Sequence, residues 1–221
     1  MRKLMIVGPY PYPDATISGG VERVIDTSIS HLQDSWEITV VVPNSIGEHE
    51  CFDGRARFIY HKKGFIPAAF TNLFVLPLWL RRIEARVEPD VIHFHGMFLY
   101  AALCRSPKIW TIHGFLKNEN IIKTNDSFIF NNLVGIYYNI LVILERLVSV
   151  QASRIIIISE YTKQVYPYLA NRHTERIDNP VDEEFLNITP SKKSPQKNIA
   201  VIGKLSKLKR VPDTLEIARK L

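Results

Sequence analysis

Between Leu4 and Leu32 the chain changes period once, and that change limits the folds open to it. Leu4-Met5-Ile6-Val7 is apolar without alternation, the pattern of a strand buried on both faces. A loop with Pro9, Pro11 and Pro13 follows. Gly19-Gly20 then opens a segment in which Val21, Val24, Ile25, Ile29 and Leu32 recur at helical spacing. Two adjacent glycines at a helix start bare backbone N–H groups where the helix dipole favours an anion. A phosphate seat and a simple glycine hinge before a surface helix fit these residues equally well.

The same plan recurs downstream. Trp36 to Pro43 is a β-branched run ending at a proline, and Arg57 to His61 is a short third strand. Asn44 to Gly54, between them, is polar and without pattern, which predicts a loop. Phe70 to Val87 has helical period, with Pro77 marking a kink or the start of its second half, and Arg81, Arg82 and Arg86 give its later turns a basic face. Asp90 to Gly96 and Lys108 to Gly114 read as buried strands with polar ends, joined through a short helix from Met97 to Cys104. A polar loop from Phe115 to Asp126 leads into an apolar helix running to about Val150. Arg154 to Ser159 is the cleanest strand, and Ser159 is placed to cap a helix from Glu160 to Leu169.

Strands alternating with helices over about 170 residues predict an α/β fold with a doubly wound parallel sheet. Ligands of such sheets lie outside the carboxyl ends of the strands. Gly8 to Tyr12, His93 to Gly96, His113-Gly114 and Ser159-Glu160 stand at those ends and should face one crevice. Residues 1–186 form this first domain. Residues 187–197, with two prolines, read as a linker. Residues 198–221 begin again with a strand (Asn198 to Gly203), a basic loop (Lys204 to Arg210) and a helix from Val211. One strand and one helix cannot bury an apolar face, so 198–221 read as the opening of an incomplete second domain.

A formal net charge of +6 and a pI near 9.3 suggest an anionic partner. The two cysteines, Cys51 and Cys104, have no ligand spacing, and the apolar run after Met1-Arg2-Lys3 is too short for a signal peptide; a cytoplasmic protein is expected. Ser127 to Leu144 carries no charge and approaches the length of a membrane span, but Asn131, Asn132, Gly135 and Asn139 interrupt it. It reads as a buried or membrane-touching helix.

Three groups of residues carry candidate chemistry. His93 and His95 alternate on one strand and so share a face, with His113 on the next strand. As three zinc ligands they would suggest a metal-dependent hydrolase; otherwise one packs against the sheet while the other lines the cleft. His113-Gly114 exposes an imidazole that can donate one hydrogen bond and accept another, which suits a sugar hydroxyl, although a histidine bonded to a backbone carbonyl fits too. Lys204, Lys207, Lys209 and Arg210 form either a diphosphate clamp or a solvated turn. The glycine spacing there is not that of a Walker loop, and Gly8-Pro9-Tyr10 does not match the dinucleotide fingerprint.

Taken together the segments resemble the family 4 glycosyltransferases of the GT-B fold, retaining enzymes that use nucleotide sugars. The resemblance is carried by Gly19-Gly20-Val21-Glu22-Arg23-Val24, Asp90 to Gly96, Thr111-Ile112-His113-Gly114 and Ile157-Ile158-Ser159-Glu160. Asp178-Asn179-Pro180-Val181-Asp182 with Phe185, and Ile202-Gly203-Lys204-Leu205 with Lys209, complete it. It implies that Gly19 and Gly20 meet the donor diphosphate, that His113 contacts the transferred sugar, and that Lys204 and Lys209 hold the phosphates. His93, His95, Ser159 and Glu160 would line the acceptor cleft. It implies a hexosyl-type transferase in surface polysaccharide or glycolipid synthesis, acting on a glycan or lipid-linked acceptor, with no metal, cofactor or nucleic acid.

Pro180 stands where that family has a hinge glycine, and Lys204 where it has an arginine; the lysine keeps the charge but loses the planar fork. The family's distal glutamates, which bind the donor sugar and ribose, would lie beyond Leu221. The sequence therefore predicts a fragment that is inactive alone or relies on a second chain for the donor domain. A non-catalytic glycan- or partner-binding module is the competing reading. The cationic chain and its apolar helix also suggest an anionic membrane surface as partner, at the inner face.

Overall fold

The structure, a computed structural model, describes residues 1–64, 70–114, 128–181, 186–187 and 211–220. β1 (Arg2–Val7) is followed by α1 (Gly20–Leu32), β2 (Trp36–Ser45), β3 (His49–Phe52) and β4 (Arg57–Lys62). A π-helical stretch at Thr71–Val75 runs into α2 (Leu76–Val87), then β5 (Val91–His95), a 3-10 segment at Phe98–Leu103 and β6 (Lys108–Ile112). α3 (Phe128–Val148), β7 (Arg154–Ile157), α4 (Tyr161–Val165), β8 (Thr174–Arg176) and α5 (Val211–Lys220) complete the described elements.

The strands form one eight-stranded sheet in the order β3-β4-β2-β1-β5-β6-β7-β8. All neighbours are parallel except the edge pair β3 and β4. Period-two alternation sends successive residues of β1 to opposite faces. Leu4 and Ile6 join Ile25 and Ile29 of α1 in one core, and Met5 and Val7 join Leu76, Leu80 and Ile83 of α2 in the other. A strand covered on both faces has no polar side to show, which is why Leu4 to Val7 reads as an unbroken apolar run. The doubly wound α/β architecture expected from the sequence is present.

Three regions differ from the sequence reading. Asn44 to Gly54 is not a loop throughout: β2 runs on to Ser45, and His49–Phe52 pairs antiparallel with β4. The hairpin closes at Gly54, whose φ is +91°, while the Asp53 carboxylate accepts the N–H groups of Arg55 and Ala56. The helix after Ser159 is short, because Tyr166 leaves helical geometry ahead of Pro167 and a 3-10 turn takes over at Pro167–Asn171. Ser159 still caps it, its Oγ accepting the Tyr161 N–H at 3.1 Å. Thr174–Arg176 adds an eighth strand whose polar sequence gave no sign of it.

Pro77 sits in the first turn of α2, where its missing N–H is harmless, so it marks the start of the second half of that region rather than a break. No helix among the described residues is long and apolar enough to cross a membrane. The expected strand at 198–203, the loop at 115–126 and the linker from residue 188 on lie outside the described residues.

Candidate functional site

The strand order fixes where a ligand can sit. β1 pairs with β2 on one side and with β5 on the other, and the chain proceeds from these neighbours toward opposite edges. Loops leaving β1 and β5 diverge, so a crevice opens beyond their carboxyl ends. A cavity of about 350 Å³ fills it. Its walls include Gly8 after β1, His95 and Gly96 at the end of β5, His113 and Gly114 after β6, and Val21 from the first turn of α1.

Backbone shape at this rim demands small residues. A Cβ on Gly8 would lie 2.8 Å from Cδ1 of Ile25 and 3.0 Å from Cβ of His95, so only glycine lets β1, α1 and β5 meet this closely. Gly96 has φ +110°, a conformation side chains rarely adopt, and its carbonyl accepts the indole N–H of Trp110 at 2.7 Å. At Gly114 a Cβ would meet nothing within 4 Å among the described residues, which leaves room beside His113 on their side.

The three histidines come together as the strand register requires. His95 of β5 pairs with Thr111 of β6, which brings residue 113 beside it. His95 Nδ1 lies 3.0 Å from His113 Nε2, with the rings stacked at 15° and their centroids 5.2 Å apart. His93 Nε2 lies 2.7 Å from the Thr111 hydroxyl, and its ring centroid is 4.1 Å from that of His95. Burial, with the nearby His113 adding to it, pushes the His93 pKa down to about 4. Burial alone takes His113 down to about 4. His95 is held well below the usual histidine range by burial first and by its two neighbours second. All three are therefore neutral near pH 7, each with one donor and one acceptor nitrogen.

The nitrogens that face one another in this cluster are engaged in hydrogen bonds, His95 Nδ1 with His113 Nε2 and His93 Nε2 with the Thr111 hydroxyl. Among the described residues no group of three His, Cys, Asp or Glu side chains could hold a metal ion, so the hydrolase reading finds no support there. Of the strand-end residues singled out from sequence, His95 and His113 line the cavity, and His93 stands behind them against Thr111. Ser159 and Glu160 do not line it: Ser159 caps α4, and exposed Glu160 pairs with Lys163 at 3.1 Å. Lys204 and Lys209 lie outside the described residues.

The paired glycines stand at the start of α1, next to cavity-lining Val21. Oε2 of Glu22 already accepts the N–H groups of Ser18 at 2.9 Å and Gly19 at 3.0 Å. Helix geometry leaves the N–H groups of Gly20 and Val21 without intrahelical partners, so these are the donors open to an anion. Sequence reasoning passed over Glu145 of α3. It is 2% exposed, lines the cavity and accepts the Phe98 N–H at 3.2 Å. Its signal was a carboxylate ending a long uncharged apolar run.

Comparisons with known proteins bear on the family and the fold. The model for Glycosyltransferase Family 4 matches residues 18–185, and the chain belongs to that family. No curated protein sequence matches it. Among solved structures it is similar to sucrose-phosphate synthase from Thermosynechococcus elongatus, with a TM-score of 0.58 and 12% identity over 80% of this chain and 48% of that one. It is similar to a trehalose-6-phosphate structure from E. coli bound with UDP-2-fluoro glucose, with a TM-score of 0.51 and 12% identity over 83% and 50% of the two chains. An apo structure of OtsA gives a TM-score of 0.52 and 13% identity over 84% and 51%. The fold is that of a GT-B glycosyltransferase, and the chain spans about half the length of these structures.

Proposed function

We propose that this chain is the acceptor-side part of an enzyme that moves a sugar, of hexosyl type, from a nucleotide-sugar donor to a hydroxyl of a glycan or lipid-linked acceptor, with retention. The observation that carries this reading is the position of His113. Its imidazole is neutral and stands in the switch-point cavity, whose rim also holds the anion-favouring start of α1. In the transfer, the bond between the sugar's anomeric carbon and the leaving diphosphate breaks, and a bond from that carbon to the acceptor oxygen forms. The acceptor proton passes to the leaving phosphate oxygen. The N–H groups of Gly20 and Val21 stabilise charge developing on that phosphate, and His113 holds a sugar hydroxyl beside the reacting carbon. Lys204 and Lys209 are assigned to the same phosphates. The UDP-2-fluoro glucose bound in the E. coli structure supports a nucleotide sugar as donor.

A lipid surface suits the acceptor side. Phe70, Phe74 and Leu78 form an exposed ridge along the π-helical stretch and the start of α2, and the same ridge continues as Arg82 and Arg86. Asn72 donates to the Tyr137 hydroxyl at 3.2 Å, which ties this ridge to α3, where Ile136, Ile140, Ile143 and Leu147 are exposed. An apolar stripe that turns basic matches an anionic bilayer, with acyl chains below and phosphates above.

The test is transfer from a panel of radiolabelled nucleotide sugars to lipid extracts and oligosaccharides. The full chain is assayed alone and mixed with a donor-domain polypeptide. One donor should be used, and His113→Ala should lower transfer by at least about 100-fold at unchanged fold. Wild-type transfer by His113→Ala, or no transfer from any donor in either format, overturns the reading.

A further inference from the structure

Among the described residues three side-chain atoms are both sealed from solvent and unpaired: His61 Nδ1, His95 Nε2 and the Tyr168 hydroxyl. His95 Nε2 matters because the other nitrogen of the same ring is bonded to His113 Nε2 at 3.0 Å. Two neutral imidazoles sharing one hydrogen bond have two arrangements. In the first, His95 carries its proton on Nδ1 and donates it to His113, which leaves His95 Nε2 as a bare lone pair. In the second, His113 donates from Nε2, and His95 must carry an N–H at its sealed, unpaired Nε2. A buried N–H without an acceptor is the rarer and costlier orphan; an under-used acceptor is tolerated more often.

We infer that His95 is a positioning residue whose Nδ1–H donates to His113 Nε2 and thereby fixes the His113 proton on Nδ1. His113 Nδ1 has no partner among the described residues and is not among the sealed atoms. The catalytic ring therefore presents a donor, so the ligand atom it takes is an oxygen lone pair, such as that of a sugar hydroxyl. An N–H group of a ligand at the same point would face another N–H. The consequence for the ligand rests on the proposed role of His113; the tautomer itself rests on the geometry alone.

Long-range 1H–15N spectra of the full chain, labelled on histidine and without ligand, read the tautomer directly. Wild-type His113 should show a protonated Nδ1 and a bare Nε2. His95→Asn, whose amide nitrogen can take the place of Nδ1, should keep that pattern. His95→Asp, which can only accept, should switch His113 to the Nε2–H form, and His95→Leu should give a mixture. In the transfer assay His95→Asp should lower kcat by about 100-fold or more with donor KM little changed, and His95→Asn should recover most of it. A protonated His113 Nε2 in the wild type, or the same tautomer in the Asp and Asn variants, overturns the inference. If the Asp variant does not fold, the wild-type and Asn spectra decide. Failure of all transfer with the expected wild-type spectrum would overturn the enzymatic reading and leave the tautomer assignment standing.

Discussion

Gly8 and His95 touch so closely that the end of β1 cannot carry a side chain: a Cβ built on Gly8 falls 3.0 Å from Cβ of His95 and 3.3 Å from its carbonyl oxygen. Backbone cannot yield as a flexible side-chain tip can, so the collision moves β5 relative to β1. Gly8→Ala should destabilise the fold by about 1–3 kcal/mol in urea denaturation. It should also disturb the His95 and His113 imidazole resonances. Gly114→Ala is the contrast. No described residue lies within 4 Å of its Cβ position, so stability should change by no more than about 0.5 kcal/mol. Its methyl group takes up space beside His113, so any loss it causes should show in ligand binding alone.

Glu84 is the buried charge that holds α2 to the loop before β6. It is 3% exposed, and Oε1 accepts the N–H groups of Arg105 at 2.7 Å and Ser106 at 2.6 Å and the Ser106 hydroxyl at 2.8 Å. Arg81 donates to Oε2 at 2.6 Å. Burial alone would raise its pKa, but the Ser106 N–H, the Arg81 guanidinium and the Ser106 hydroxyl together outweigh burial and hold it below the usual glutamate range. A carboxyl with a depressed folded pKa contributes stability above its unfolded pKa of about 4.3 and loses it as pH falls through the folded value. Glu84→Gln keeps one acceptor oxygen for the Arg105 and Ser106 donors but sets an amide NH2 against the buried side of the Arg81 guanidinium, and should cost about 3 kcal/mol at neutral pH. The gap to wild type should narrow in acid, as measured by denaturation from neutral pH downward.

The histidine cluster sets a second pH dependence. His93 and His113 are pushed down to about 4 by burial, so between there and their unfolded pKa of about 6.5 the unfolded chain binds more protons than the folded one. Stability from this source is complete above about pH 6.5 and falls as pH drops toward 4. Double replacement by His93→Gln and His113→Asn should flatten that slope. An unchanged slope between those limits would show that the rings are not neutral and buried together.

The fold was legible because period is a local property. An unbroken apolar run in β1 followed by helical spacing in α1 needs no tertiary knowledge to interpret, and the glycine and histidine strand ends follow from it. The edge hairpin was missed because an edge strand has no apolar face to declare, and His49-Glu50-Cys51-Phe52 is largely exposed, with only Cys51 partly covered. Its turn was written in Asp53-Gly54, a pair suited to a hairpin. The contact between His95 and His113 depends on the register of β5 against β6, which no single strand encodes. Glu22 illustrates the same limit. The sequence marks Gly19 and Gly20 as open donors, but a carboxylate one turn away reaches back to the first of them.

The exposed ridge gives the last prediction. Phe74 and Leu78 are each 53% exposed, the Phe70 and Phe74 rings lie tilted at 40° with centroids 5.0 Å apart, and Arg82 makes no ion pair among the described residues. Large apolar side chains left in water beside an unpaired cation are stable neighbours of a bilayer, where the rings enter the acyl boundary and the guanidinium meets phosphate. The chain should sediment with vesicles containing anionic lipid and release as salt is raised toward about 1 M, where the Debye length falls to about 3 Å. Arg82→Glu should weaken that binding by about tenfold, since each cation near an anionic surface contributes about 1 kcal/mol and reversal adds repulsion. Phe74→Ser should weaken it at both low and high salt, because its contribution is burial rather than charge. Sedimentation that responds to neither substitution would place the membrane-binding surface elsewhere, and none at all would remove the lipid surface from the proposal.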